Sequence, residues 1–169
     1  TSTTKVSVDW TPSQMTEASE WLFSSASTPA FEMYKNKEFQ PGYAYGSSNY
    51  KTQTSWSVTD GTRTTWTLDG NGKKVSCGGK SATFSASWSG TGGGLVIGRG
   101  ISGAGVRGTI HGVKVWSGSG ATLRRDFVPA QTMAADGTRV TGFYDKVGGV
   151  FRASAGSAAF AAGATIDAA

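Results

Sequence analysis

A two-residue rhythm constrains this chain more than any other feature. Val6, Val8 and Trp10 alternate with Ser7 and Asp9, Phe31 and Met33 with Glu32 and Tyr34, and Trp66 and Leu68 with Thr65 and Thr67. Successive side chains of an extended strand point to opposite faces, so each run predicts a strand with one buried face. Such runs recur about every 8–12 residues between Gly-rich turns, which predicts an all-β fold: roughly a dozen strands in two antiparallel sheets packed face to face. Asp69-Gly70-Asn71-Gly72 predicts a hairpin turn with positive φ joining Thr64–Leu68 to Lys73–Cys77, and Asp60-Gly61 and Asp136-Gly137 mark two further turns. Pro12 to Phe23 alone offers a helical alternative, with Ser13 as cap and Glu17 and Glu20 behind it. Trp21-Leu22-Phe23 equally suits the start of the second strand, so the stretch is read as a loop with at most one helical turn.

Length sets the scale, since 169 residues suffice for one domain with a real core and are too few for two ordinary ones. Charged residues are 16% and aromatics 11% of the chain, too little charge and too many rings for a disordered segment. The longest uncharged stretch, Ser81 to Gly98, is mostly Ser, Thr and Gly and lacks the run of ~18 apolar residues that a membrane helix requires, so no membrane insertion is expected. The polar opening Thr1-Ser2-Thr3-Thr4 and the Ala/Gly-rich ending Ala161 to Ala169 suggest one domain of a larger multidomain protein, with a single domain over 1–163 and a linker over 164–169.

Sixteen Lys and Arg against eleven Asp and Glu give a formal charge of +5. The cations are scattered from Lys5 to Arg152 and form no stripe or run, so no nucleic-acid partner is expected. An anionic glycan suits such an excess as well. The single Cys77 excludes an internal disulfide framework and Cys-cluster metal sites, and the lone His111 excludes multi-histidine sites. Asp60, Asp69 and Asp136 each stand isolated beside a glycine, as turns require. No cofactor and no obligatory metal is therefore expected.

The most specific text lies in the C-terminal part: Gly94-Leu-Val-Ile-Gly-Arg-Gly100, Arg107-Gly-Thr-Ile-His-Gly-Val-Lys-Val-Trp116, Leu123-Arg-Arg-Asp-Phe-Val-Pro-Ala130 and Gly142-Phe-Tyr-Asp-Lys-Val-Gly-Gly-Val-Phe151. In its glycine-led strand, its Arg-Asp-Phe-x-Pro segment and its Gly-x-Tyr-Asp segment, this resembles the laminin G-like branch of the concanavalin A-like jelly rolls found in bacterial surface, secreted and phage-associated proteins. The match is closest from Leu95 to Gly163 and looser upstream, where Thr4-Lys-Val-Ser-Val-Asp9, Leu22-Phe23 and Thr67-Leu-Asp-Gly70 stand in the same order. The resemblance implies a two-sheet jelly roll and an extracellular setting: secreted, on a bacterial surface or on a virion. On physical grounds the signature residues read as structural. Val113 and Val115 are expected to face the core, with Lys114 and Trp116 on the other face. Phe127, Phe143, Phe151 and Phe160 would anchor a long non-strand segment, tied down by Arg124, Arg125, Asp126 and Asp145.

Sandwiches of this kind include glycosidases and polysaccharide lyases, and both readings are tested by the residues. A glycosidase needs two carboxylates about 5–9 Å apart. No Glu-x-Asp-x-x-Glu pattern exists, and Glu17 and Glu20 fall in the expected loop. Thr109-Ile-His111 and Tyr144-Asp-Lys-Val-Gly148 resemble segments of alginate-type lyases, yet the Arg- and Glu-bearing strand of those enzymes is missing. The expectation is a protein that is not an enzyme. His111 reads as a strand histidine and Cys77 as a small buried thiol.

Carbohydrate binding is the leading functional expectation, because sugar rings pack their C–H faces on aromatic side chains while polar groups meet their hydroxyls. Tyr34, Tyr43, Tyr45, Tyr50 and Trp116, with Arg99, are the candidate glycan-binding residues, accompanied by Asn36, Gln40 and Asn49. Lys35 and Lys37 beside Tyr34, Lys51 beside Tyr50 and Lys114 beside Trp116 make an acidic glycan the expected ligand. The rival expectation is a structural spacer or protein-adhesion domain of a bacterial surface protein or phage appendage, which needs only a stable sandwich. Some laminin G-like relatives hold a structural calcium, but no Asp/Asn ligand loop is present to supply one.

Overall fold

Strand β1 (Thr3–Pro12) buries Thr4, Val6, Val8, Trp10 and Pro12 along one face and leaves Lys5, Ser7, Asp9 and Thr11 on the other, as its alternation demands. The computed structural model describes residues 3–13, 19–26, 30–36, 40–46, 49–84, 94–99, 104–118 and 122–154. Thirteen further strands follow among them: β2 (Glu20–Ser25), β3 (Ala30–Lys35), β4 (Pro41–Gly46), β5 (Asn49–Thr52), β6 (Thr64–Asp69), β7 (Lys74–Cys77), β8 (Lys80–Thr83), β9 (Leu95–Ile97), β10 (Ala104–Gly105), β11 (Gly108–Ser117), β12 (Thr122–Met133), β13 (Arg139–Asp145) and β14 (Val150–Ala153). No helix occurs among the described residues. Of the stretch with helical potential, Pro12 closes β1 and Glu20 opens β2, while 14–18 lie outside the described residues.

An eight-stranded sheet runs β14-β13-β12-β11-β1-β6-β7-β8, and a smaller sheet runs β10-β2-β3-β4-β5 with β9 also on β2. Pairing is antiparallel throughout except for the short β10–β2 contact. The inward faces meet in one core, where Val6, Val8, Trp10, Trp66, Leu68, Val75 and Val113 of the larger sheet face Leu22, Phe23, Phe31, Met33 and Tyr43 of the smaller. This is a β-sandwich. Trp10 and Trp66 meet edge to face at 5.5 Å in its middle. Among the described residues, four side-chain atoms are buried without a nitrogen or oxygen partner: Thr4 Oγ1, Trp10 Nε1, and Thr64 Oγ1 and Trp66 Nε1, the last two beside the Cys77 sulfur. A buried polar atom with no partner costs about 1–3 kcal/mol.

The expected hairpin joins β6 to β7, with Asp69 Oδ1 accepting the Gly72 amide at 2.8 Å. Its left-handed residue is Lys73 (φ 49°) at the end of the turn, not one of the two glycines. The other two turns carry positive φ on their glycines, Gly61 at 73° and Gly137 at 82°.

The segment expected to lie outside the strands is instead β12, a twelve-residue strand paired with β11 on one side and β13 on the other. Its neighbours β11 and β13 supply the ladder that makes it a strand. Arg124, Arg125 and Asp145 form the expected ties, and Asp126 joins them through its backbone amide. Arg124 Nε donates to Ser117 Oγ at 2.7 Å, and Asp145 Oδ1 accepts the amides of Asp126 and Val147 at 3.1 Å each. Burial raises the Asp145 pKa, but the amides of Asp126, Gly148 and Val147, together with Arg125 at 3.4 Å, outweigh it and hold the carboxyl below its ordinary value. Phe127 and Phe143 pack at 6.3 Å against the margin of the core. Phe160 and the expected linker at 164–169 lie outside the described residues.

Candidate functional site

Alternation along β3 sends Phe31 and Met33 inward, both fully buried, and leaves Glu32 and Tyr34 on the outer face of the smaller sheet. Trp21 pairs with Tyr34 across β2 and β3, and the register slips between Trp21 and Phe23. That bulge lets Leu22 and Phe23 both enter the core while Trp21 turns outward. The Trp21 and Tyr34 rings stack at 5.4 Å with planes 29° apart. Trp21 Nε1 donates to Glu32 Oε2 at 3.1 Å, which fixes the indole on the sheet.

Gly42 stands opposite Tyr34 in register, and any Cβ there would run into the Tyr34 ring. Glycine at this position therefore lets the phenol lie flat across β4. The product is a half-exposed aromatic platform with a carboxylate held at its edge.

Glu32 is only 5% exposed. Burial raises its pKa, and the bond from Trp21 offsets part of the rise. A carboxyl raised in the folded state contributes stability that is complete below the ordinary value of 4.5 and is lost as pH climbs through the folded value. Ionised Glu32 thus weakens the fold at neutral pH. Glu32→Gln keeps an acceptor for Trp21 and removes the charge, so its melting temperature at pH 7 is expected to exceed that of the parent by roughly 2–4 °C. The gap should close as pH falls below about 4, where the parent carboxyl is protonated in both states. Melting curves at the two pH values check this, and an unchanged or lower midpoint at pH 7 contradicts it.

The candidate residues from the sequence do not converge on one groove. Tyr34 belongs to the platform. Arg99 is exposed in the turn after β9, on the β2 side of the same sheet, with its carbonyl accepting from Ser24 Oγ at 3.2 Å. Tyr43 is a correction: it is 2% exposed, pairs with inward Met33, and packs on Phe84 at 5.6 Å. Its place in the alternation of β4 puts it in the core, with Gly42 taking the outer position. Tyr45 pairs with Phe31 and with Asn49, and Tyr50 with Ala44, through backbone register; the side chains of Tyr45 and Tyr50 lie outside the described residues.

Trp116 lies on the outer face of the larger sheet, the far side of the sandwich from Tyr34. Its cation is Lys5, whose Nζ sits 4.8 Å from the ring centroid and 3.7 Å from Asp69, and which reaches it because β1 pairs with β11. Lys35 is a second correction, since it faces inward at 1% exposure beside Glu20 in register and cannot serve Tyr34 as a surface charge. Burial lowers its pKa, while Glu20 and Asp60 hold it up. Lys37 and the side chain of Lys51 lie outside the described residues, and Lys114 is exposed. Asn36 and Gln40 bond each other across the β3–β4 turn.

Trp21, Glu32 and Gly42 are the site residues that sequence reasoning missed. The strict alternation around Glu32 already carried its outward direction, whereas the bulge that turns Trp21 outward has no local signal.

His111 is a strand residue on β11, with Nε2 2.8 Å from Thr11 Oγ1. Cys77 is buried, and desolvation pushes its thiol up to about 11. Among the described residues no three His, Cys, Asp or Glu side chains gather as a metal-ligand set. No protein-family model matches the chain, and comparisons with curated proteins and with solved structures give no match.

Proposed function

We propose that this chain is a non-catalytic carbohydrate-binding module of a larger extracellular protein, built on a laminin G-like, concanavalin A-like jelly roll. The stacked Trp21–Tyr34 pair carries the reading. A flat aromatic surface pinned to a rigid sheet by the Trp21–Glu32 bond offers a C–H stacking face for a sugar ring at little entropic cost. The quoted C-terminal segments support the jelly-roll frame, as does a first strand seated centrally between a late strand, β11, and a middle one, β6.

A single carboxylate argues against hydrolysis. Among the described residues on the outer face of the smaller sheet, Glu32 is the one acidic side chain, whereas glycosidases pair two. Glu32 and the inward Lys35 also favour a neutral glycan at the platform over the acidic one expected from sequence, leaving Arg99 and Arg107 as exposed cations beside β2 among the described residues.

A glycan array of the isolated chain tests the reading. Trp21→Ala is expected to weaken any detected binding by about 10- to 30-fold with the fold retained, as loss of an aromatic anchor does. Binding that is insensitive to Trp21→Ala removes the platform from the reading. A neutral ligand should bind alike at low and high salt, whereas an acidic one drawn by Arg99 should weaken as salt shortens the Debye length below about 10 Å.

The adhesion or spacer reading has its own observation. Tyr144, Val147 and Val150 are exposed together at the β13–β14 hairpin on the edge of the larger sheet, a small apolar group that suits protein contact. A flat array signal across neutral and acidic glycans would favour it.

A further inference from the structure

Four short hydroxyl side chains line up across the outer face of the larger sheet. Ser7 of β1 pairs with Thr67 of β6, Thr67 with Ser76 of β7, and Ser76 with Ser81 of β8, one on each of four adjacent strands. Their chain neighbours Val6 and Val8, Trp66 and Leu68, and Val75 and Cys77 are buried, which turns the first three hydroxyls outward. Thr67 Oγ1 donates to Ser7 Oγ at 2.9 Å and fixes the start of the row. Longer side chains stand on either side of it. Lys5, Asp69 and Lys74 share the next row, with Trp116 opposite Lys5 on β11, and Asp9 with its partner Arg63 stands on the other side. The result is a shallow trough running across the strands.

With strands about 4.8 Å apart and same-face residues about 6.7 Å apart, the floor is roughly 14 Å long and the wall rows are roughly 13 Å apart. One extended polymer chain fits those dimensions. The walls are braced: Lys5 Nζ lies 3.7 Å from Asp69 and 4.8 Å from the centre of the Trp116 ring, and Arg63 grips Asp9 with Nη2 at 2.6 Å and Nε at 3.0 Å. Bracing of this kind lowers the ordering cost that a ligand must meet. Those bonds occupy Asp9 and Asp69. Lys74 and Lys114 are exposed and make no ion pair among the described residues, although Lys114 faces Asp126 in register. Lys146 follows Asp126 on the far side, its amide on the Asp126 carbonyl. Lys5, Arg63, Lys74, Lys114 and Lys146 thus oppose Asp9, Asp69 and Asp126, five cations to three carboxylates.

We infer that the trough is a second binding site, taking a linear carboxylate-bearing glycan laid across β1, β6, β7 and β8. Its hydroxyls meet Ser7, Thr67 and Ser76, its carboxylates meet Lys74 and Lys114, and one ring lies against the half-exposed Trp116. The ligand class rests on the carbohydrate reading above. The site is a different one, on the opposite face from the Trp21–Tyr34 platform, and it takes the acidic glycan that the platform disfavours.

Resonances on the two faces separate the sites. In ¹⁵N-labelled protein titrated with galacturonate, its trimer and tetramer, and the neutral cellotetraose, the Ser7, Thr67 and Ser76 amides and the Trp116 indole signal are expected to move with the uronates. Affinity should rise with chain length, and the Trp21 indole signal reports the platform. The double variant Lys74→Gln, Lys114→Gln removes two exposed charges without touching the core. It is expected to weaken tetramer binding at low salt by about 3- to 10-fold, the worth of two exposed ion pairs. Ser76→Tyr fills the floor from an outward position and should abolish the shifts at Ser7 and Thr67 with the melting temperature held. Trough amides unmoved by every uronate, equal affinity for cellotetraose, or unchanged affinity in either variant overturns the inference. Movement at Trp21 alone leaves the platform reading standing and sinks the trough; movement at the trough alone does the reverse; movement at neither sinks both.

Discussion

Trp10→Ala is expected to destabilise the fold by about 3–5 kcal/mol, the range for removing a fully buried large aromatic. Trp10 has no exposed surface, lies on the central strand of the larger sheet, and stands between Ile110 of β11 and Thr64 of β6. Its edge-to-face contact with Trp66 at 5.5 Å adds a directional term beyond burial, about 0.5–1.5 kcal/mol for such pairs. The cavity left by alanine would open beneath both sheets, where the packed layers can relax least. Trp10→Phe should cost much less, because it keeps most of the apolar volume and deletes the unpartnered Nε1. Denaturant titration followed by far-UV circular dichroism measures both variants. A cost below about 1.5 kcal/mol for alanine would mean that the two sheets do not close over this residue as described.

Gly108→Ala should be the most damaging single-methyl change, at roughly 3 kcal/mol or more. Gly108 opens β11 opposite Pro12 with φ at 127°, a conformation side chains rarely adopt. Its added Cβ would also strike the Thr11 carbonyl and come within 2.9 Å of Pro12 Cα and 3.0 Å of the Ser13 nitrogen. These obstacles are backbone atoms, so no rotamer change relieves them; β1 and β11 would have to separate at that end. Gly118→Ala is the control, since φ is 66° there but nothing lies within 4 Å of the new carbon. That variant should lose only the conformational part, about 1–2 kcal/mol. Equal melting temperatures for the two variants would show that the close approach at Gly108 contributes nothing.

The contrast between Tyr34 and Tyr43 marks how far the sequence could be read. Both are tyrosines on strands of the smaller sheet, and both suit a sugar-binding face. Parity separates them: Phe31 and Met33 fix Tyr34 as outward, whereas β4 offers only Gly42 and Ala44 in alternation with its tyrosines, too little apolar signal to say which face is buried. Lys35 failed for a related reason. A lysine at an inward position violates the pattern, and what makes it tolerable is Glu20 alongside it, a neighbour supplied by strand pairing and not by the local sequence.

Alternation and turn chemistry by themselves determined the all-β class, the inward sets of β1, β3, β6 and β11, and the turns at Asp60-Gly61, Asp69–Gly72 and Asp136-Gly137. These follow from forces that act within a few residues: the period of an extended strand and the positive φ that glycine permits. Tertiary structure alone decided that β1 lies between β6 and β11, that Lys5 caps Trp116, and that a bulge turns Trp21 onto Tyr34 and Glu32. Each of these joins residues far apart in the chain or depends on a one-residue slip in pairing. A slip moves every later side chain to the other face, and only the packed partner fixes the register, so a site made across strands has no signature in any one of them.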